Sequence, residues 1–287
     1  MISYEYAPAT SVAEGRQILD QYPDFAAALQ QHFPNTLPLQ EYMIQTVQAL
    51  QPFGFDGSNS MGMVAACRDE LADPLFHEVV RFWGKTFNCC SLGGFLTMGK
   101  TGLAAATAHT PFYGGIHRFV FFAMPHIAIS RYGDLGLVYR QGNQEPSHAC
   151  GALEKIIDQL HSGCVNVQID LQDLEHSILR QRILSSMTYG YVPNLVEITY
   201  IACQLITHDV WHLLKSLSSQ VFHYGVMNGI QIHGPNDSQW IYPYACYVVQ
   251  STLSHEVEVI PQLSAPESHR DDAPWSNPHP AHVEVRF

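Results

Sequence analysis

Positive charge is scarce in this chain. Only 14 Lys and Arg are spread over 287 residues, against 26 Asp and Glu, giving a net charge of −12 with His neutral. Affinity for a phosphate backbone comes from clustered Lys and Arg. No basic run occurs, so nucleic acid is not the expected partner. Long apolar runs are also missing. The most apolar stretch, FVFFAMPHIAI at 119–129, is too short to span a bilayer and contains Pro125 and His126, which argues against membrane insertion. The opening MISYEYAPATSVAEGR has neither the basic-then-apolar pattern of a secretory signal nor the Arg/Ser-rich composition of a transit peptide. A cytoplasmic location is the resulting expectation. No C-x-x-C or H-E-x-x-H signature occurs, and the seven cysteines are odd in number. In such a chain cysteines serve as metal ligands or small buried side chains rather than as a disulfide framework.

What is present is apolar content, 46% of residues with 14% charged, enough for a substantial core. Over the first 50 residues Val12, Ile18, Leu19, Phe25 and Leu29 recur at helical spacing, and Met43, Val47 and Leu50 continue after Pro38. The small apolar run SMGMVAAC at 60–67 predicts a buried strand that delivers Cys67 at its carboxyl end. NCCSLGGFLTMGKTG at 88–102 predicts a glycine-rich loop, followed by a helix over LAAATAH. RFVFFAMPHIAIS predicts a fully buried strand, too apolar to alternate. ACGALEKIIDQLHSG predicts a helix closed by Gly163, and VNVQID at 165–170 a short strand. Helices are predicted over about 171–188 and 194–219. Two strands, VFHYGVMNGIQIHG and QWIYPYACYVVQ, follow around an Asn236-Asp237 turn. Alternating helices and strands make the class α/β. The expected division is an N-terminal helical arm at 1–55, a main domain at 56–264 and an extended Pro/His-rich tail at 265–287.

Three residues have the look of metal ligands. Cys67 begins CRDEL at the end of an apolar strand, and His126 sits among apolar neighbours. Cys150 opens a helix, whose dipole favours a thiolate. By themselves these positions equally suit buried structural cysteines and a core histidine. His148 forms an H-x-C pair with Cys150 and is a further ligand candidate. A rival signal is GFLTMGKT at 94–101, which fits the phosphate-binding pattern G-x-x-x-x-G-K-[ST] at every fixed position. Asp170 at the end of VNVQID could then serve as its magnesium carboxylate. Against it, FNCCSLGG is a poor feeding strand.

CRDEL at 67–71, GGFLTMGKTG at 93–102, AHTP at 108–111, PHIAIS at 125–130 and ACGAL at 149–153 stand in the order and spacing of the limiting-CO2-inducible protein B/C family, which the chain resembles. The resemblance implies a β-carbonic-anhydrase-like fold, with a mostly parallel central sheet flanked by helices and an N-terminal helical arm. It implies zinc held by Cys67, His126 and Cys150, three ligands that leave a fourth position free. It implies reversible hydration of carbon dioxide to bicarbonate and a homodimer. Asp69 matches the orienting carboxylate of β-type enzymes. The usual arginine partner of the pattern C-x-D-x-R is absent, because Leu71 fills its place, and the resemblance points instead to Arg68. Gly99, Lys100, Thr101 and Gly102 are implied to form an active-site loop, not a nucleotide cradle. His109 and His148 are the candidate proton shuttles, since imidazole titrates in the right range. A catalytically inactive, zinc-retaining regulatory relative is the alternative, suggested by Ala128 where glycine is more usual. A P-loop nucleotide enzyme ranks below both.

Overall fold

The computed structural model describes residues 9–140, 145–215, 217, 221–251, 255–260 and 263. The tail expected at 265–287 lies outside them. Helices α1 (Val12–Gln21) and α2 (Pro23–His32) come first, then strand β1 (Leu37–Pro38) and α3 (Leu39–Leu50). Ser11 and Glu14 form a reciprocal capping box that starts α1. The next elements are β2 (Met61–Ala65), α4 (Asp73–Trp83), β3 (Thr86–Asn88), α5 (Gly99–Ala108), β4 (Phe112–Tyr113), β5 (Ile116–Ala123) and β6 (His126–Ala128). They are followed by β7 (Leu137–Val138), β8 (Ser147–His148), α6 (Gly151–His161), α7 (Leu174–Ser186) and α8 (Leu195–Leu214). The last elements are β9 (Phe222–His233), β10 (Gln239–Ser251) and β11 (His255–Val259).

The sheet runs β1-β10-β9-β5-β2-β3, with β11 on β10, β4 on β5 and β6 on β9. Its centre, β3-β2-β5-β9-β6, is parallel, and β10 joins β9 antiparallel through the 235–238 turn. Asn236 and Asp237 both take positive φ there, which suits their short polar side chains. The apolar stretch predicted as one strand is β5 and β6 in a single register on β9, interrupted at Met124-Pro125 because proline has no N–H to give the ladder.

Helices flank the sheet. The larger apolar cluster joins β2, β5 and β10 to α3 to α6 and α8. A second cluster seats Ile18, Phe25, Leu29 and Phe33 of the N-terminal helices on Ile230, Ile232, Trp240 and Tyr242. β1 ties the same N-terminal segment to β10. One expectation fails: 165–170 is not a strand but an irregular segment ahead of α7. Its alternation is real, but Val167 and Ile169 face solvent and no neighbouring strand pairs with it.

Candidate metal centre

Parallel strands put their carboxyl ends on one side of the sheet, where open α/β folds place ligands. Cys67 lies two residues past the end of β2, and His126 opens β6 just past β5. Cys150 is the N-cap of α6. The segment around Cys150 is held to β6 directly by the Ala128 N–H donating to the Ala149 carbonyl at 3.1 Å, and through Gly136, whose N–H donates to the Ala128 carbonyl at 2.7 Å and whose carbonyl accepts the Ala149 N–H at 2.9 Å. As a result Sγ of Cys67, Sγ of Cys150 and a ring nitrogen of His126 lie within 4.8 Å of one another, all buried. Among the described residues this is the one such group of three or more metal-capable donors.

The donor set fits zinc. The two sulfurs are 3.9 Å apart, and two thiolates on a tetrahedral zinc stand about 3.8 Å apart at Zn–S bonds of about 2.3 Å. His126 is 0% exposed, and its Nε2 has no hydrogen-bond partner. A buried ring nitrogen left unpaired is costly, and a metal beside the two sulfurs would satisfy it. A hydrogen bond from the Cys150 thiol holds Cys67 well below the ordinary thiol range. Cys150 is pushed up by that same bond and by burial.

The loop at 91–94 closes over Cys67. Gly93 donates its N–H to the sulfur at 3.3 Å, and Ser91 N–H bonds the Ala66 carbonyl at 3.1 Å. Gly94 must be glycine: φ is 78°, and a Cβ would lie 2.5 Å from the Met124 carbonyl oxygen. Glu175, in the first turn of α7, anchors the loop by accepting the Leu92 N–H at 2.9 Å.

The partner of Asp69 differs from expectation. Arg68 points away from the centre and forks onto Glu175, with Nη2 at 2.6 Å and Nε at 2.9 Å. The chain has left the strand at Cys67, so adjacent residues diverge, and Arg68 ends 59% exposed. Asp69 is held instead by Arg140, whose Nη2 reaches its two oxygens at 2.9 and 3.2 Å. Arg140 also bonds Glu70 at 2.5 Å and the Ser147 hydroxyl. Asp69 accepts the Leu71 N–H at 3.1 Å as well, and burial raises its pKa. Its carboxylate lies outside the three-donor group.

The other candidates stand apart from the three donors. His148 is half-exposed, with Nδ1 2.7 Å from Glu154, and is not in the donor group. His109 caps α5, exposed, with its ring 5.9 Å from Phe87. Gly99, Lys100, Thr101 and Gly102 form the first turn of α5 rather than a loop. Lys100 lines a surface cavity of about 390 Å³ with Leu103, Thr107, His117 and Phe222. His117 and Phe222 begin β5 and β9, so this cavity opens toward the end of the sheet opposite Cys67. The strand that would feed a phosphate loop, β3, is three residues long at the sheet edge, and Asp170 sits at the end of no strand.

Several residues at the centre escaped the sequence reading. Arg140 and Glu175 carried no local signal. His233 and Gln231 did: they alternate with Ile230 and Ile232, which places two polar side chains on one face of a strand that is otherwise apolar there. Both are buried beside β6, and His233 Nε2 lies 2.8 Å from His126 Nδ1.

Residues 36–250 match the family described as limiting CO2-inducible proteins B/C beta carbonic anhydrases. The crystal structure of the limiting CO2-inducible protein LCIB is similar at a TM-score of 0.66 and 32% identity, covering 81% of this chain and 96% of that one. The crystal structure of PtLCIB4, a homolog of LCIB, is similar at a TM-score of 0.70 and 22% identity, covering 82% and 99%; at that identity it speaks for the fold alone. No curated protein sequence matches the chain.

Proposed function

The chain belongs to the limiting CO2-inducible protein B/C family of β-carbonic anhydrases, and from that premise we propose that it catalyses zinc-dependent, reversible hydration of carbon dioxide to bicarbonate. The observation that carries this reading is the buried trio of Cys67, His126 and Cys150 with its unpaired imidazole nitrogen. Zinc bound there would supply a Lewis acid that brings water to ionisation near neutral pH. The two thiolates offset the ion's charge, and the Gly93 N–H steadies one of them. Asp69, its oxygens fixed by Arg140, can accept a hydrogen bond from the attacking water and orient it. Arg140 is therefore a positioning residue. Release of the proton to solvent falls to an exposed imidazole, His148 or His109.

The same reading makes the chain a cytoplasmic homodimer, with 56–264 as the zinc-binding unit between an N-terminal arm and a tail. All seven cysteines are free thiols, which suits a reducing compartment. Among the described residues no helix is long and apolar enough to cross a membrane.

The test is stopped-flow hydration of carbon dioxide by zinc-replete protein, with Cys67→Ser as the metal-free control. Hydration above the buffer rate in the wild type alone supports the proposal. A zinc-replete protein no faster than buffer refutes it and points to the regulatory relative. Nucleotide binding by a zinc-free protein would revive the P-loop reading. A monomer by sedimentation at micromolar concentration refutes the dimer.

A further inference from the structure

The unpaired nitrogen of His126 is only useful to a metal if it carries a lone pair rather than a proton. Which of the two it carries is set by the bond that the other ring nitrogen makes. Here that bond goes to a second imidazole, His126 Nδ1 to His233 Nε2 at 2.8 Å, with the two rings 71° apart. Between two facing nitrogens one must donate and the other accept.

The far side of His233 decides the direction. Its Nδ1 lies 2.8 Å from Oε1 of Gln239, and an amide oxygen can only accept. The amide cannot be turned round without loss. Its oxygen also receives the Gln231 NH2 at 3.1 Å, and its own NH2 donates to the Asp237 carbonyl at 3.3 Å. A flip would set NH2 against NH2 and carbonyl against carbonyl. Gln231 is in turn oriented by donating to the Leu71 carbonyl at 3.4 Å. His233 therefore holds its proton on Nδ1 and, as a neutral ring, offers a lone pair at Nε2. His126 must then donate from Nδ1, and a neutral ring protonated there presents its Nε2 lone pair to the two sulfurs.

Strand register builds this relay. Parallel pairing of β6 and β9 sets His126 beside Gln231 and Ala128 beside His233, while antiparallel pairing sets Gln239 of β10 opposite His233. Isoleucines 230 and 232 on the alternate positions lock β9 into the apolar cluster, so the polar face cannot slip by one residue.

We propose that His233, oriented by Gln239, is a positioning residue that imposes the metal-binding tautomer and ring orientation on His126. The proposal rests on the reading of Cys67, His126 and Cys150 as the metal centre, but not on carbon dioxide hydration. It is tested on the full chain in two ways. Long-range ¹H–¹⁵N correlation on metal-free, ¹⁵N-His-labelled protein, assigned with His126→Gln, should find His126 protonated on Nδ1 alone. Competition with a chelator should show His233→Leu binding zinc about 10–100-fold more weakly than wild type, as loss of an outer-sphere partner does. His233→Gln, whose amide oxygen can reach the acceptor position, should stay within a few-fold of wild type. A metal-free wild type with the proton on Nε2 of His126 overturns the proposal, as do equal zinc affinities in the Leu and Gln variants. The tautomer measurement uses the unsubstituted chain, so it decides the matter even where a variant fails to fold.

Discussion

Replacing Gly94 by alanine would put a methyl group 2.5 Å from the Met124 carbonyl oxygen and 3.1 Å from its carbon. That oxygen cannot swing aside, because the Met124 N–H is bonded to the Ala65 carbonyl at 2.9 Å and Pro125 follows. The left-handed φ of 78° costs an L-residue about 1–2 kcal/mol on its own. The forced contact adds about 1–3 kcal/mol, and the stiffer unfolded chain returns about 0.4–1 kcal/mol. A net loss of about 3 kcal/mol corresponds, for a chain of 287 residues, to a melting point lower by roughly 5 °C. The loop can relieve the contact only by lifting, which takes the Gly93 N–H off the Cys67 sulfur, now 3.3 Å away. A hydrogen bond to a charged acceptor contributes about 1.5 kcal/mol or more, so zinc affinity should fall about tenfold. Gly54→Ala is the control: φ is 76°, nothing lies within 4 Å of its Cβ, and it should show the backbone cost without the zinc effect. Thermal melts and chelator competition on both variants provide the assay. A Gly94→Ala protein that melts with Gly54→Ala and binds zinc like the wild type would refute the reasoning.

Cys67→Ser or Cys150→Ser should abolish stoichiometric zinc by elemental analysis, whereas serine at Cys89, Cys90, Cys164, Cys203 or Cys246 should leave it in place; full occupancy in both ligand variants would sink the site. Asp69→Asn should keep zinc and lose about 10²–10⁴-fold in hydration rate. Arg140→Met should lose rate in the same direction, because Asp69 is then no longer held; wild-type kcat/KM in both variants would count against the pairing. Glu175 supplies a pH test. The bond from Arg68, opposed by burial and helped by the Leu92 N–H, holds its pKa below the ordinary value. A depressed folded-state pKa contributes stability that is full above the unfolded value, about 4.3, and fades as pH falls through the folded one. Glu175→Gln should therefore melt below the wild type at pH 7 and converge with it as pH falls through the depressed folded-state value; a gap that persisted in strong acid would contradict the assignment.

Local pattern was enough for much of the fold. Helical spacing marked the N-terminal helices, the apolar run at 119–129 marked the central strand, and Asn236-Asp237 marked the turn between β9 and β10. These features report burial and backbone preference within a few residues, which is information the sequence holds at short range. The same signal misled at 165–170, where alternation was present but no strand lay alongside; a strand exists only with a neighbour. The motif order singled out Cys67, His126 and Cys150 as candidates, but only the parallel register of β2, β5, β9 and β6 and the return of the chain at Ala149 brought their donor atoms together. Asp69 found Arg140 rather than Arg68 because side-chain direction after the end of β2 is set by the loop's path, and Arg140 arrives from 71 residues away. His233 is further still, 107 residues from His126. Nothing in the neighbourhood of either histidine names the other, because their contact is fixed by which strand lies beside β6 and in which register.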